Sequence, residues 1–493
     1  MSAAAETNRN AVFSDANWNG SLYSSGWRAT EKTVDVIEPA TAMPLTRTGI
    51  ASAADIASAA EAAAQAQTAW AATAYRERSA LFVRAAEWLA AHGAEFTTWI
   101  MRETGAIRAK AEFELGEASV LLHEAAAMCS QPQGEVLPST PGRMSLARRV
   151  PLGVVGVISP FNFPLILSLR AIAPALAAGN AVVHKPDPRT PVTGGFLIAE
   201  MFDAIGLPEG LLHVLPGDIE AGEALCTDPN VAMIAFTGST PAGRKVGELC
   251  GKHLKKVSLE LGGKNSLIIL DDADLDLAAS NAAFGAWFHQ GQICMTSGRI
   301  LAHESIVDAL TERLAEKARH LPVGDPMSET VALGPIINQR QLEHVDGIVK
   351  DTVTAGARLV AGGSHEQLFY SPTVISGVKP GMRAFDEEMF GPVASITTFS
   401  SDEEAIELAN GTEYGLSAAI ISKSVGRAMA LGERLRTGLL HINDQTVADE
   451  MVNPFGGRGA SGNGTSIGGP SNWEEFTQWQ WVTIKDAPPS YPF

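Results

Sequence analysis

The polarity pattern of the chain changes character along its length. Between residues 51 and 130, Ala-rich segments such as "SAADIASAAEAAAQAQTAWAAT" and "RSALFVRAAEWLAAHGAEFTTWIMRETG" repeat their apolar positions at helical spacing. Both predict amphipathic helices, the second ending at Gly105. Residues 130–150, "SQPQGEVLPSTPGRMSLARRV", shift to Pro, Gly and Ser between β-prone ends, as a linker or a strand pair leaving the main body does. From 151 to 270 short apolar runs recur ("VVGVIS", "NAVVHK", "LLHVLP", "VAMIAFTG", "KVSLEL", "NSLIIL") with helical segments between several of them. Strands alternating with helices predict an α/β fold with a parallel sheet covered on both faces, which binds ligands at the carboxyl ends of its strands.

After residue 270, "DDADLDLAASNAAFGAWFHQGQIC" predicts a helix running into a loop at Cys294, and a second alternating set then implies a second α/β domain. The closing "FTQWQWVTIKDAPPSYPF" is strand-like and aromatic. A strand of that kind needs a partner edge, on another subunit or elsewhere in the same chain.

At 493 residues the chain suits two or three domains, and 45% hydrophobic with 19% charged residues fills ordinary globular cores. A net charge of −18 argues against nucleic-acid or anionic-membrane partners. Cys129, Cys226, Cys250 and Cys294 are scattered, without the spacing of a disulfide framework or a zinc site. "PLGVVGVISPFNFPLILSL" (151–169) is uncharged, but its three prolines fit strand, turn and helix start better than a membrane span. The start, "MSAAAETNRNAVFSDANW", lacks the pattern of a signal peptide, so a cytoplasmic setting is expected.

Candidate chemistry sits at the strand ends. Cys294, in "FHQGQICMTSGR", needs partial ionisation to attack a carbonyl, and Gly291 and Gly298 permit a tight loop whose N–H groups would help. Taken by itself, a cysteine between Ile293 and Met295 reads first as a buried structural one. Glu260 ends the run "SLEL" before Gly262 and Gly263, where a carboxylate suits a general base; a surface glutamate before a turn has the same look. Asn162 in "SPFNFP" suits an oxyanion donor or a turn cap. Lys185 in "HKPDPRTP" suits ribose or phosphate oxygens, or plain solvation. The "AFTGSTPAGRKV" turn places Gly238 and Gly243 where a helix start receives an anion, without the G-x-G-x-x-G fingerprint.

In order and spacing, "SPFNFP", "HKP", "FTGSTPAG", "LELGGKN", "GQIC", "EEMFGPV" and "NPFGGRGASGNG" resemble the aldehyde dehydrogenase superfamily over roughly residues 20 to 493. The resemblance implies two doubly wound parallel-sheet domains and a small β oligomerisation flap. It assigns 1–129 and 150–261 to nucleotide binding, 262–465 to catalysis, and 130–149 with 466–493 to oligomerisation as a dimer or tetramer. It makes Cys294 the nucleophile, Asn162 the oxyanion donor and Glu260 the base that activates water against a thioester, with no metal. It places NAD against Ser159, Pro160, Phe161, Lys185, Gly238, Ser239, Gly243, Leu261, Glu388 and Phe390.

Within the superfamily the chain looks most like the benzaldehyde, vanillin and salicylaldehyde branch, with Phe163, Trp287, Phe288, Ile293, Met295 and Phe455 as pocket candidates for an aromatic aldehyde. A carboxylated aldehyde would call for a cation, and Arg299 is the nearest along the chain. Pro188 followed by Arg189 stands where NAD-preferring relatives often carry a glutamate, which admits NADP beside NAD. Retention of Glu260 argues against a coenzyme A-acylating relative, and the intact trio against a silent one. A cofactor-free thiol hydrolase has no use for the 238–243 turn.

Overall fold

The computed structural model describes residues 17–327 and 331–493. Most of the N-terminal stretch read above against a signal peptide, and residues 1–16 of the expected nucleotide-binding domain, lie outside the described residues.

Two seven-stranded sheets carry the architecture. In the first, Lys256–Glu260, Val231–Thr237, Val154–Ile158, Ala181–Lys185 and Leu212–Val214 run parallel in that order. Ser21–Ser24 and Trp27–Ala29 add antiparallel strands at one edge, which the alternation of strands and helices did not predict. The second sheet runs Arg358–Ala361, Thr373–Ser376, Val393–Phe399, Arg299–His303, Ser266–Ile269, Ser417–Ile421 and Leu439–Ile442, parallel except at its first strand. The carboxyl ends of the first sheet, at Ile158, Lys185, Thr237 and Glu260, carry the same motifs that lead toward the starts of the second at Ser266 and Arg299. Glu260 and Ser266 are joined by the short "LGGKN" link, so one sheet ends where the other begins.

The Ala-rich region forms helices Ala53–Ala72, Tyr75–Ala91, Gly93–Thr104 and Arg108–Met128. Ser52 and Asp55 close a capping box on the first. The segment read as one helix up to Gly105 breaks at His92, and Gly105 caps its second half in the left-handed conformation, φ 71°. The uncharged 151–169 run is a strand, a turn and the start of helix Pro164–Ala177, buried all round as its continuous apolar character requires. No described helix is long and apolar enough to cross a membrane.

That central helix is held by a buried carboxylate. Glu114 accepts the N–H groups of Leu165 and Ile166 at 2.8 and 3.3 Å and pairs with fully buried Lys110 one helical turn away. Lys110 in turn lies 4.2 Å from the Phe163 ring.

The C-terminal strand Thr477–Ile484 finds its edge within the chain, pairing along eight residues with Met144–Pro151, which also pairs with Gly134–Val136. The three-stranded sheet leaves Val136, Met144, Trp479, Trp481 and Ile484 exposed.

Replacing Lys110 by Met strands the Glu114 carboxylate in the core. It should cost about 3–5 kcal/mol in denaturant unfolding, and Lys110→Met with Glu114→Gln should recover part of that loss. A single variant as stable as the parent would dismiss this anchoring.

Candidate active site

Helix Leu275–Trp287, capped at Asp274, ends where the chain enters a run of three left-handed residues: His289 (φ 48°), Gln290 (φ 56°) and Gly291 (φ 66°). Such a run is strained for side-chain-bearing residues and persists only when its surroundings fix it. They do. Gln290 Nε2 donates to the carbonyls of Gly105 and Pro335, and Gln292 Oε1 accepts the Ile337 N–H. A side chain at Gly291 would meet the Gly391 carbonyl at 2.1 Å, so glycine is required. Gly298 has no such conformation; it only makes room for the Lys264 stem.

The stretch beyond is pinned by one carboxamide. Asn265 Nδ2 donates to the carbonyls of Cys294 and Thr296 at 2.8 and 2.9 Å, while its Oδ1 accepts the Ser417 N–H. Asn162, buried in the turn before the central helix, donates through Nδ2 to the Gln292 carbonyl at 2.9 Å. Its second amide N–H has no bond to a described residue, nor does the Cys294 backbone N–H. Two donors thus flank the loop without partners.

Cys294 keeps partial exposure, unlike the three other, buried cysteines. Burial of the sulfur, with Glu260, Glu388 and Asp449 nearby, nevertheless pushes its thiol well above the ordinary range, against an opposing pull from Arg170. Glu260 ends its strand as expected. Burial raises its carboxyl well above the usual carboxylate range, Arg170 partly offsets this, and Oε1 has no partner among the described residues. Burial thus disfavours the charged form of both reactive groups, and a proton must leave the sulfur before it can attack.

The expected pocket residues divide. Ile293, Met295 and Phe455 cluster with Leu416, and Phe163, Phe288 and Cys294 pack against them. Trp287 does not join: it is buried in the core formed by the second sheet and its covering helices, packed with residues such as Ala282 and Ile300 of that cluster. Arg299 is no pocket cation either; its guanidinium is spent on the carbonyls of Lys264, Leu408 and Ala409. The cation at the pocket is Arg170, missed in the sequence. It stacks 4.5 Å from the Phe455 ring, bonds Asp449 at 2.7 Å, and keeps Nε and Nη1 unpartnered. Phe163, at the cap of helix Pro164–Ala177, is followed at four- and three-residue spacing by Leu167 and Arg170, a signal that could have found it.

The expected nucleotide residues lie along the first sheet's carboxyl ends. Exposed Ser239 caps helix Thr240–Lys252 without a side-chain hydrogen bond, leaving hydroxyl and first-turn N–H groups for an anion. Gly238 donates to the Glu260 carbonyl, and Gly243 is glycine because Leu261 packs at 2.2 Å from where a side chain would begin. Buried Ser159 is committed to His184 and Ser168, leaving part-exposed Pro160 and the backbone to face outward. Lys185 is buried at its strand end, and burial lowers its amine against Asp187 and Asp218. Phe161 packs 5.9 Å from Phe390, itself left-handed at φ 52°. Glu388 accepts the Gly263 N–H at 3.0 Å and, by burial, is pushed up to about 7. Its carboxylate lies where a side chain at Gly262 would collide, a cradle suited to a ribose hydroxyl pair. Among the described residues no cluster of metal-ligating side chains exists.

A thiol raised above the ordinary ~8.5 is protonated at neutral pH. Iodoacetamide labelling of Cys294, read by mass spectrometry, should therefore keep climbing through pH 9. A plateau below pH 8 would contradict the burial of the sulfur.

Comparison with known proteins agrees with this geometry. Residues 27–482 match the aldehyde dehydrogenase family. The chain is similar to a vanillin dehydrogenase of Amycolatopsis sp., 54% identical over 97% of this chain and 99% of that one. It is likewise similar to a benzaldehyde dehydrogenase [NAD(+)] of Pseudomonas putida, 50% identical over 97% and 98%. Among solved structures, betaine aldehyde dehydrogenase from Staphylococcus aureus in complex with NAD+ superposes with a TM-score of 0.95, at 28% identity over 99% of both chains. The chain belongs to the aldehyde dehydrogenase family and is an NAD(P)-dependent oxidoreductase.

Proposed function

We propose that the protein oxidises a benzaldehyde-like aromatic aldehyde to its carboxylic acid. The observation that carries this reading is the apolar cluster of Ile293, Met295, Leu416 and Phe455, flanked by Phe163 and Phe288, around Cys294. A planar ring suits aromatic and thioether walls. High identity to the benzaldehyde and vanillin enzymes supports it.

In this reading the Cys294 sulfur adds to the aldehyde carbon, and its proton leaves through Glu260 or water. The free Asn162 amide N–H and the Cys294 backbone N–H receive the oxyanion. The chemistry supplied by bound nicotinamide is acceptance of the hydride from the resulting tetrahedral adduct. Glu260, held in a dry site that raises its basicity, takes a proton from the water that cleaves the thioester. Aldehyde, oxidised cofactor and water thus give acid, reduced cofactor and one proton. Glu388 and Phe390 orient the nicotinamide end; Lys185, Ser239 and the 238–243 turn hold the other. Residues 1–129 with 150–261 and residues 262–465 are the nucleotide and catalytic units, and the 130–149 and 466–493 strands, with their exposed Trp479 and Trp481, join subunits.

Arg170 favours a second preference within the same class. Its unpartnered Nε and Nη1 beside Phe455 suit a ring carrying a hydroxyl or methoxy oxygen. NAD is the preferred nucleotide: Arg189 is engaged by Asp187 through two bonds of 2.8 and 2.6 Å and stacks 4.1 Å from Phe161, so it is not free to meet a 2′-phosphate.

With benzaldehyde and NAD, reduced cofactor should accumulate, and no signal with benzaldehyde or vanillin would sink the aromatic reading. Cys294→Ala should abolish turnover. Glu260→Gln should keep a single-turnover burst while steady-state rate falls about 10²–10⁴-fold. For the nucleotide, Asp187→Asn should release Arg189 and raise NADP affinity relative to NAD, measured as Kd by nucleotide titration. An unchanged ratio would overturn the assignment of Arg189.

A further inference from the structure

As the base, Glu260 takes up one proton for each thioester cleaved and must return it to solvent before the next turnover. Its carboxyl is buried, with Oε1 unpartnered among the described residues. It borders a small cavity where strand Lys256–Glu260 meets helix Pro164–Ala177 and the loop at Thr465. Water centres have about 20 Å³ in it, room for one molecule and too little for a ligand. Apart from Glu260, Arg170 is the only charged residue on that wall among the described residues, so a proton leaving this way has hydroxyls to travel on.

The hydroxyls there have a fixed direction. Asn463 donates through Nδ2 to the Val257 carbonyl at 2.8 Å, and its Oδ1 accepts the Leu259 N–H at 3.1 Å, which sets the amide's orientation. Thr465 Oγ1 therefore donates to Asn463 Oδ1, at 2.7 Å. Its one hydrogen is thus spent, and in the 3.0 Å bond between the two hydroxyls Ser258 must be the donor. Ser258, which also lines the cavity, has only lone pairs left to offer there. It stands two residues from Glu260 on the same face of one strand, about 6.6 Å along it, a gap that two hydrogen bonds through one water bridge. At the outer end Thr465 is part-exposed and Asn463 exposed. The row of hydroxyls thus runs from the buried carboxyl to the surface with every hydrogen pointing outward.

We infer that Ser258 and Thr465 carry the hydrolytic proton from Glu260 to solvent, through one water in this cavity. Glu260 gives its proton to that water, and the water passes one to Ser258 Oγ. Ser258 passes its own to Thr465 Oγ1, and Thr465 releases its own to bulk water. Each hydroxyl oxygen exchanges one O–H bond for another, so one proton leaves and rotation of the two hydroxyls resets the row. The charge of Arg170 favours the carboxylate that remains. This route rests on the reading of Glu260 as the base and holds for any aldehyde that forms the thioester.

The test is the decay of the acyl-enzyme, formed by the full chain in a single turnover with benzaldehyde and NAD, quenched for mass spectrometry, in ordinary and heavy water. In Thr465→Val and Ser258→Ala the rise of reduced nicotinamide should match the parent's. Acyl decay should slow about tenfold or more, a part of the ~10²–10⁴ that acid–base catalysis contributes, with an enlarged solvent isotope effect. Thr465→Ser keeps the hydroxyl and should decay like the parent. A parental rate in either hydroxyl-free variant overturns the route. So does slowing without a larger isotope effect, or equal slowing in Thr465→Ser, since each marks a structural role. Glu260→Gln separates the two readings: if it leaves acyl decay unchanged the base assignment itself fails, and if it alone slows decay only the hydroxyl route falls.

Discussion

One carboxamide holds the catalytic loop in register with the sheet beneath it. Asn265 reaches two carbonyls on either side of Met295 and takes an N–H from the strand at Ser417. This bridge holds the chain from Cys294 onward, while Gln290 and Gln292 hold the left-handed residues before it, which would relax if released. The amide of Asn162 then closes on the Gln292 carbonyl, and the oxyanion donors acquire a fixed place relative to the sulfur. Positioning here comes from backbone carbonyls caught by side-chain amides, which neither titrate nor carry charge. Such a clamp keeps its shape whatever the protonation of Glu260 or Cys294.

Burial supplies the electrostatics. The Cys294 thiol and the Glu260 and Glu388 carboxyls are all driven toward neutral forms, while Lys264 is driven toward the free amine. A dry site thereby stores little net charge at rest, and a proton placed on one group changes the balance for the others. At the pocket wall Arg170, paired with Asp449, pulls Cys294 and Glu260 in the direction opposite to burial, while Asp449 pushes both the same way as burial.

Much of this was legible in the chain. Runs of apolar residues ending at Ile158, Lys185 and Glu260 read as strands because parallel strands are buried on both faces, and their carboxyl ends carry the site by topology. What was not legible depended on three dimensions. The polar scaffold of Asn265, Gln290 and Gln292 has no periodic signature, since each amide reaches a carbonyl far along the sequence. Trp287 looked like a pocket wall from its place beside Phe288, but one residue of helical rotation turns it into the core. The antiparallel strands at Ser21–Ser24 and Trp27–Ala29 were hidden because strands of three or four residues carry little hydrophobic pattern.

The C-terminal strand has a bearing on how the chain comes into being. Thr477–Ile484 closes on Met144–Pro151, and Met451, Trp473 and Phe476 complete the core that begins with Trp18 and Leu22. The first sheet's own strands are all made by residue 260, yet its hydrophobic interior lacks part of its filling until Met451, Trp473 and Phe476 have been added. Pairing Thr477–Ile484 with Met144–Pro151 closes a loop of more than three hundred residues, a separation that slows contact formation. A chain stopped before Met451 would carry the strands of both large sheets over an open core, recognisable to proteases rather than merely weakened.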